Sequence, residues 1–346
     1  MPTSPVLSIN VGSSYVSFLL FEEGREFATF TYPYVYSKNL FGHFISESSF
    51  YLDVLKIAAK ALKVTAKDCT LLISGFPEPP HVEADVKLSA SIDKILATFS
   101  QYSCLYVGNF KFLEAHSFMY ACPITTQELD KMNSDANLSL YPQITQLDEL
   151  KRFDIDSVAR VHRSQLPDIL DTHKPVVFTG CSFCNFSEQL SPLSYILALD
   201  LIREHGTFEL KLDEHNVLPN LGLINMYDGN LLANVSDYKL TSLGTILNLP
   251  GTVECLFESD YGTSQLIDVA KDKLFFVPLE EGSTARIVAK NSLTGTIEKT
   301  VTGGKLGFII DTRDKSGVQD YSSKKYAPWL KSLKEVLEGL YVYSNA

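Results

Sequence analysis

The 346-residue sequence predicts an α/β body followed by a small all-β barrel or sandwich and a C-terminal helix. Three observations predict this fold class. Between 50 and 224, strand-like apolar runs alternate with segments of helical apolar spacing, the pattern of a sheet with helices on its faces. Three strand-like runs of the body end at a glycine: Gly12, Gly108 and Gly180. From 243 to 311, short β-rich runs follow one another, separated by Gly, Asp and Ser, with no helical pattern between them. The expected division is a body over 1–242 with an insertion at 123–156, a β domain over 243–311, and a tail over 312–346 that carries the last helix.

The elements follow in order. Runs at 6–10, 15–21 and 26–32 read as an antiparallel meander. Residues 50–63 (FYLDVLKIAAKALK) have helical spacing, and 70–74 (TLLIS) is a buried-strand run that stops at Gly75. Prolines make 76–82 a loop. A helix is expected over 90–99 and a strand over 103–107. The polar, weakly periodic stretch 123–156 is the insertion. Then come a helix within 157–170, a strand at 175–179 and an amphipathic helix over 192–204 that closes at Gly206. In the β domain, strands are expected at 245–249, 252–257, 264–269, 273–278, 284–289, 295–301 and 306–310. Residues 325–342 set Trp329, Leu330, Leu333, Val336, Leu337 and Leu340 on one helical stripe.

Composition narrows the function. Hydrophobic residues make up 45% and charged residues 21%, a globular balance. A formal charge of −11 opposes non-specific binding to nucleic acid or to anionic lipid, so neither is an expected partner. The start, MPTSPVLSINVG, has no basic segment followed by an apolar core, and no apolar run is long enough to span a bilayer. A cytoplasmic location is expected. The six cysteines are dispersed and read as core residues of a reducing compartment.

Asn10-Val11-Gly12-Ser13-Ser14 joins two apolar runs. A tight bend of this composition presents backbone N–H groups and small hydroxyls, which suits phosphate; it also suits a hairpin with no ligand. Together with 107–109 (VGN) and 179–182 (TGCS), the pattern resembles the actin, Hsp70 and sugar-kinase superfamily of two-lobed, ribonuclease H-like ATPases. The segments 212–222 (LDEHNVLPNLG), 243–250 (LGTILNLP) and 303–313 (GGKLGFIIDTR) more narrowly resemble the MutL family, accessory proteins of adenosylcobalamin-dependent glutamate mutase, unrelated to the mismatch-repair protein of that name. The resemblance implies ATP with magnesium as cofactor and a cobalamin-dependent mutase-like enzyme as protein partner. It implies that amides around Gly12, Gly108 and Asn109 cradle the phosphates. Ser13 and Ser14 would add hydroxyls, and Gly180 and Cys181 would lie on the nucleoside side.

The departures from that pattern are chemical. Asn10 stands where the superfamily normally has a magnesium-ordering Asp, and a neutral amide binds hydrated magnesium poorly. Val107-Gly108-Asn109-Phe110 lacks the usual carboxylate beside its glycine. Cys181 replaces a second glycine and crowds a close backbone approach. The sequence therefore points to an actin-like nucleotide-binding accessory protein, a helper or reactivating factor that is at most a weak ATPase; the alternative is a pseudo-ATPase scaffold for protein–protein contacts. Cys181 and Cys184 match C-x-x-C but no further ligands complete a metal set, so packing cysteines without metal are expected. His215 reads as a solvated turn residue. Asp311 and Arg313 read as an ion pair or turn cap, with partner docking as the other reading.

Overall fold

A computed structural model of the chain describes residues 4–11, 15–22, 28–33, 56, 60–75, 86–106, 173–180, 196, 199, 200, 202–229, 238, 240–315 and 323–337. They build a mixed α/β protein, mostly strands, in three sheets. The insertion at 123–156, the helix expected within 157–170 and the loop 76–82 lie outside the described residues.

The first sheet begins with the expected meander, β1 (Val6–Val11), β2 (Tyr15–Phe21) and β3 (Ala28–Pro33). On the other side of β1 lie β4 (Thr70–Gly75) and then β5 (Val86–Ser91), both parallel. The sheet order is β3-β2-β1-β4-β5. Every residue of β1 is buried, which fits its central place. A short helix, α1 (Ile92–Leu96), follows β5 directly. It occupies part of the 90–99 stretch expected to be helical; β5 itself was not expected, because VKLSAS alternates with only three apolar residues.

Against this sheet packs α2 (Leu218–Tyr227), which touches β1, β2, β4, β5 and α1. Leu19, Leu72, Ile92, Ile95, Leu221 and Ile224 form the core between them. Residues 218–224 of α2 are buried on every side, so the segment has no polar face and no amphipathic signal to read.

The second sheet runs β12-β15-β9-β8-β7-β6. Its parallel half is β6 (Ser103–Tyr106), β7 (Val176–Thr179) and β8 (Gly206–Leu212). Next come β9 (Thr241–Asn248), antiparallel to β8, then β15 (Phe308–Asp311), parallel to β9, and β12 (Leu274–Val277) at the edge. The third sheet, β11-β10-β13-β14, consists of β10 (Val253–Ser259), β11 (Ser264–Val269), β13 (Thr284–Asn291) and β14 (Gly295–Thr302).

All seven runs expected in 243–311 are strands, but they do not stand apart from the body. Three of them, β9, β12 and β15, extend the sheet that carries β6 to β8. The other four cover one face of that extension. Leu247, Leu249, Val277, Phe308 and Ile310 meet Val253, Cys255, Phe257, Ile287 and Val301 in a sandwich core, where Phe257 and Phe308 stack with centroids 6.0 Å apart. The boundary expected at 243 thus runs through a sheet. The reason is burial: Leu243–Asn248 and Phe308–Asp311 are buried at every position, as strands covered on both faces are, whereas a barrel wall keeps one face wet.

The motif glycines serve a chain crossing. Residues 303–307 pass against the start of β9 and the turn after β12, backbone against backbone. A Cβ on Gly304 would sit 2.3 Å from the Gly244 nitrogen, and one on Gly244 would sit 1.9 Å from the Gly307 oxygen. The C-terminal helix α3 (Ser323–Leu337) lies on β12 with Trp329 and Leu333 buried. Among the described residues no helix is long and apolar enough to cross a membrane.

Candidate functional site

Parallel α/β sheets offer ligands the carboxyl ends of their strands. In this molecule the carboxyl ends of β1 and β4 in one sheet, and β7 and β8 in another, are tied together through one loop, 213–217, which leads from β8 into α2.

In the first sheet Asn10 is in register with Ser17 on one neighbour and Ser74 on the other, so three polar side chains share a face. Ser74 Oγ donates to Asn10 Oδ1 at 3.0 Å, and Asn10 Nδ2 reaches Ser17 Oγ at 3.5 Å. Asn220 of α2 donates to Ser17 Oγ at 2.9 Å and accepts from Ser8 Oγ at 2.9 Å. Ser17 Oγ lies 3.3 Å from the Asn216 carbonyl. From the second sheet, Thr179 Oγ1 donates to Asp213 Oδ2 at 2.6 Å and lies 3.2 Å from Asn216 Oδ1. Ser8, Asn10, Ser17, Ser74, Thr179, Asp213, Asn216 and Asn220 are each no more than 2% exposed.

Asp213 is the charge in this seam. Its oxygens accept from the Thr179 hydroxyl, the Tyr238 hydroxyl at 2.5 Å, and the backbone N–H groups of Val217 and Leu218 at 2.8 and 2.9 Å. Burial pushes its carboxyl above the ordinary value, and the four donors pull against that rise. No cation faces it among the described residues. Asp213 therefore caps α2 and holds β7 to it. Asn216 adopts a left-handed backbone, φ 51°, where Asn is tolerated.

Of the residues singled out in the sequence, Asn10 lies within this seam, and its side chain is bonded to protein partners. Gly180 follows Thr179 at the end of β7 with φ 110°, a conformation that favours glycine. Gly12, Ser13, Ser14, Gly108, Asn109, Cys181 and Cys184 lie outside the described residues. His215 is exposed in the turn of the same loop. Sequence reasoning passed over Ser8, Ser17, Ser74, Thr179, Asp213, Asn216 and Asn220. A signal for them was present: three are serines inside apolar strand runs, VLSINV, YVSFLLF and TLLISG.

A second cluster holds the other motif residues. Asp311 takes a two-pronged contact from Arg313, Nε at 2.8 Å and Nη2 at 2.6 Å, so the IIDTR segment does form an ion pair. Elsewhere, burial pushes the Cys104 thiol up to about 12 and that of Cys255 up to about 11, which favours the neutral thiol at both. Among the described residues no three His, Cys, Asp or Glu side chains gather where a metal ion could be held.

No family model matches this chain, and no curated protein does. Among solved structures it is similar to the crystal structure of the ethanolamine utilization protein EutJ from Carboxydothermus hydrogenoformans, with 13% identity over 64% of this chain and 90% of that one and a TM-score of 0.35.

Proposed function

We propose that this chain is an actin-like, nucleotide-binding accessory protein that has lost hydrolytic chemistry. The observation that carries the reading is Asn10. It sits at the carboxyl end of β1, two residues before Gly12, with a neutral side chain buried and bonded to Ser17 and Ser74. Among the described residues magnesium finds no replacement nearby: Asp213 is the carboxylate of this seam, and four donors already occupy its oxygens. The described residues thus do not fit an ordered magnesium ion.

Phosphate binding by the proposed loops depends on backbone dipoles rather than on that charge. The amides of 12–14 and 107–109 and the hydroxyls of Ser13 and Ser14 would hold ATP, with Gly180 and Cys181 beside the nucleoside. The partner proposed is a cobalamin-dependent mutase-like enzyme in the cytoplasm, on the strength of the resemblance in 212–222, 243–250 and 303–313. Against that narrower part stands a structural account of the same residues: the glycines make a chain crossing and Asp311 and Arg313 an ion pair. The closed seam also favours the second reading, a pseudo-ATPase scaffold in which the strand ends bind only one another.

Calorimetric titration with ATP, with and without magnesium, and a hydrolysis assay test both. The expected result is measurable ATP binding that Gly12→Val abolishes, with turnover at background. Asn10→Asp should make binding magnesium-dependent. Robust wild-type turnover that Gly12→Val removes would sink the loss of chemistry, and absence of binding would leave the scaffold reading.

A further inference from the structure

We infer that strand β11 joins two copies of this chain edge to edge, with Leu266 of one copy opposite Leu266 of the other. Among the described residues, the sheet β11-β10-β13-β14 ends at β11 on one side and at β14 on the other. An open edge offers unpaired N–H and C=O groups, and proteins guard such edges with charge, proline or a bulge. β14 is guarded: Glu298 and Lys299 are adjacent and exposed, and Arg286 holds Glu298 at 2.7 Å. β11 is not. Ser264–Val269 has no lysine, arginine or proline, and it pairs with β10 residue for residue without a bulge. Ser264, Gln265, Leu266 and Asp268 are exposed, Leu266 at 58%.

The Thr263 carbonyl accepts from the Ser259 N–H at 2.9 Å, and this fixes which backbone groups are free. Alternation along an antiparallel ladder turns the groups of Gln265, Ile267 and Val269 toward β10, and those of Ser264, Leu266 and Asp268 away from it. Side chains alternate in the same step. Ile267 and Val269 enter the sandwich core, while Leu266 and Asp268 stand on the outer face.

A second β11 fits this edge with a two-fold axis at Leu266. Antiparallel pairing about that axis sets Leu266 against its equivalent, and sets each Ser264 against the Asp268 of the other copy. No like charges meet, and each carboxylate faces a hydroxyl that can donate to it. An axis at Ile267 would set Asp268 against Leu266 instead, and an axis at Asp268 would oppose two carboxylates. The apolar row agrees with the first choice. Leu256 is in register with Leu266 on one side and Val288 on the other, so the rows of the two copies join without a break. Six strand residues a side fall short of the roughly 20–30 of a standard interface, so the dimer is reversible and depends on concentration.

The test is sedimentation velocity of the full chain at rising concentration, in about 0.15 M salt to screen the repulsion between two chains of formal charge −11. The expected result is reversible growth of a species of twice the chain mass. Leu266→Lys and Leu266→Glu each put like charges on the axis and should weaken association about tenfold or more, with the far-UV spectrum unchanged. Mixed together, the two variants should regain it, because a lysine then faces a glutamate. A wild type that stays at one chain mass overturns the proposal, and so does a dimer that either variant leaves intact. A mixture no stronger than the separate variants overturns the pairing of Leu266 with its equivalent.

Discussion

Burial drives the carboxyl of Asp311 upward, yet the charges of Arg313 and Lys315 outweigh it and bring Asp311 down to about 2. A carboxylate depressed in the fold contributes stability above its ordinary value of 3.8 and loses that contribution as pH falls toward 2. Asp311→Asn should therefore cost about 3 kcal/mol or more near pH 7, because it takes the shared carboxylate from two buried cations, and the gap to wild type should shrink between pH 4 and 2. Urea unfolding over that range checks it; a gap constant with pH would show that packing, not charge, is what Asp311 supplies. Asp213 makes the matching case in the seam. Asp213→Ala should cost about 3 kcal/mol or more, since it takes the acceptor from the buried N–H groups of Val217 and Leu218 and the carboxylate from the Thr179 and Tyr238 hydroxyls. A loss below about 1 kcal/mol in the same assay would deny it the capping role. The Asp311–Arg313 pair was legible in IIDTR, but the distant partners were not. Asp213 reaches Thr179, 34 positions earlier, and Arg313 reaches Asp200 across 113, separations that no local pattern encodes.

At the level of elements, pattern served where an element has one wet face and enough large apolar residues on the other, which β5 lacks. β10 and β13 alternate more and less buried positions, and their runs were readable. It failed at α2, buried all round over its first two turns, and at β8, whose initial Gly206 read as the end of a helix. The crossing of 303–307 over β9 was legible only as a glycine-rich motif; its cause is that two backbones meet with no room for a Cβ. Gly304→Ala should for that reason destabilise by about 3 kcal/mol or more, as a steric change that backbone atoms cannot relieve. Gly262→Ala supplies the contrast: its Cβ would meet nothing within 4 Å, though φ of 82° still strains it, so a cost of about 1 kcal/mol is expected. Equal melting temperatures for the two variants would remove the crossing as the reason for the motif.

Across the whole molecule, the decisive fact is that β9 and β15 serve two layers. One face of each helps form the sandwich core with β10 to β14, and along its length β9 hydrogen-bonds to β8 of the α/β body. A strand shared in this way cannot keep its native partners on one side only. A fragment spanning 240–315 should then fail to fold alone: the edge of β9 would lose β8, and the face of β15 that bears Asp311 would lose Asp200 and the carbonyls of Leu199 and Ile202 that hold Lys315. In the full chain, Phe257→Ala should remove about 3–5 kcal/mol of core packing and lower one common transition rather than a separate one for the sandwich. Circular dichroism and Trp329 fluorescence should report the same midpoint, because Trp329 packs on the β12 side of that shared sheet. A dispersed NMR spectrum from the isolated fragment, or two separate midpoints in the full chain, would restore the independent β domain that the change of pattern near 243 suggested.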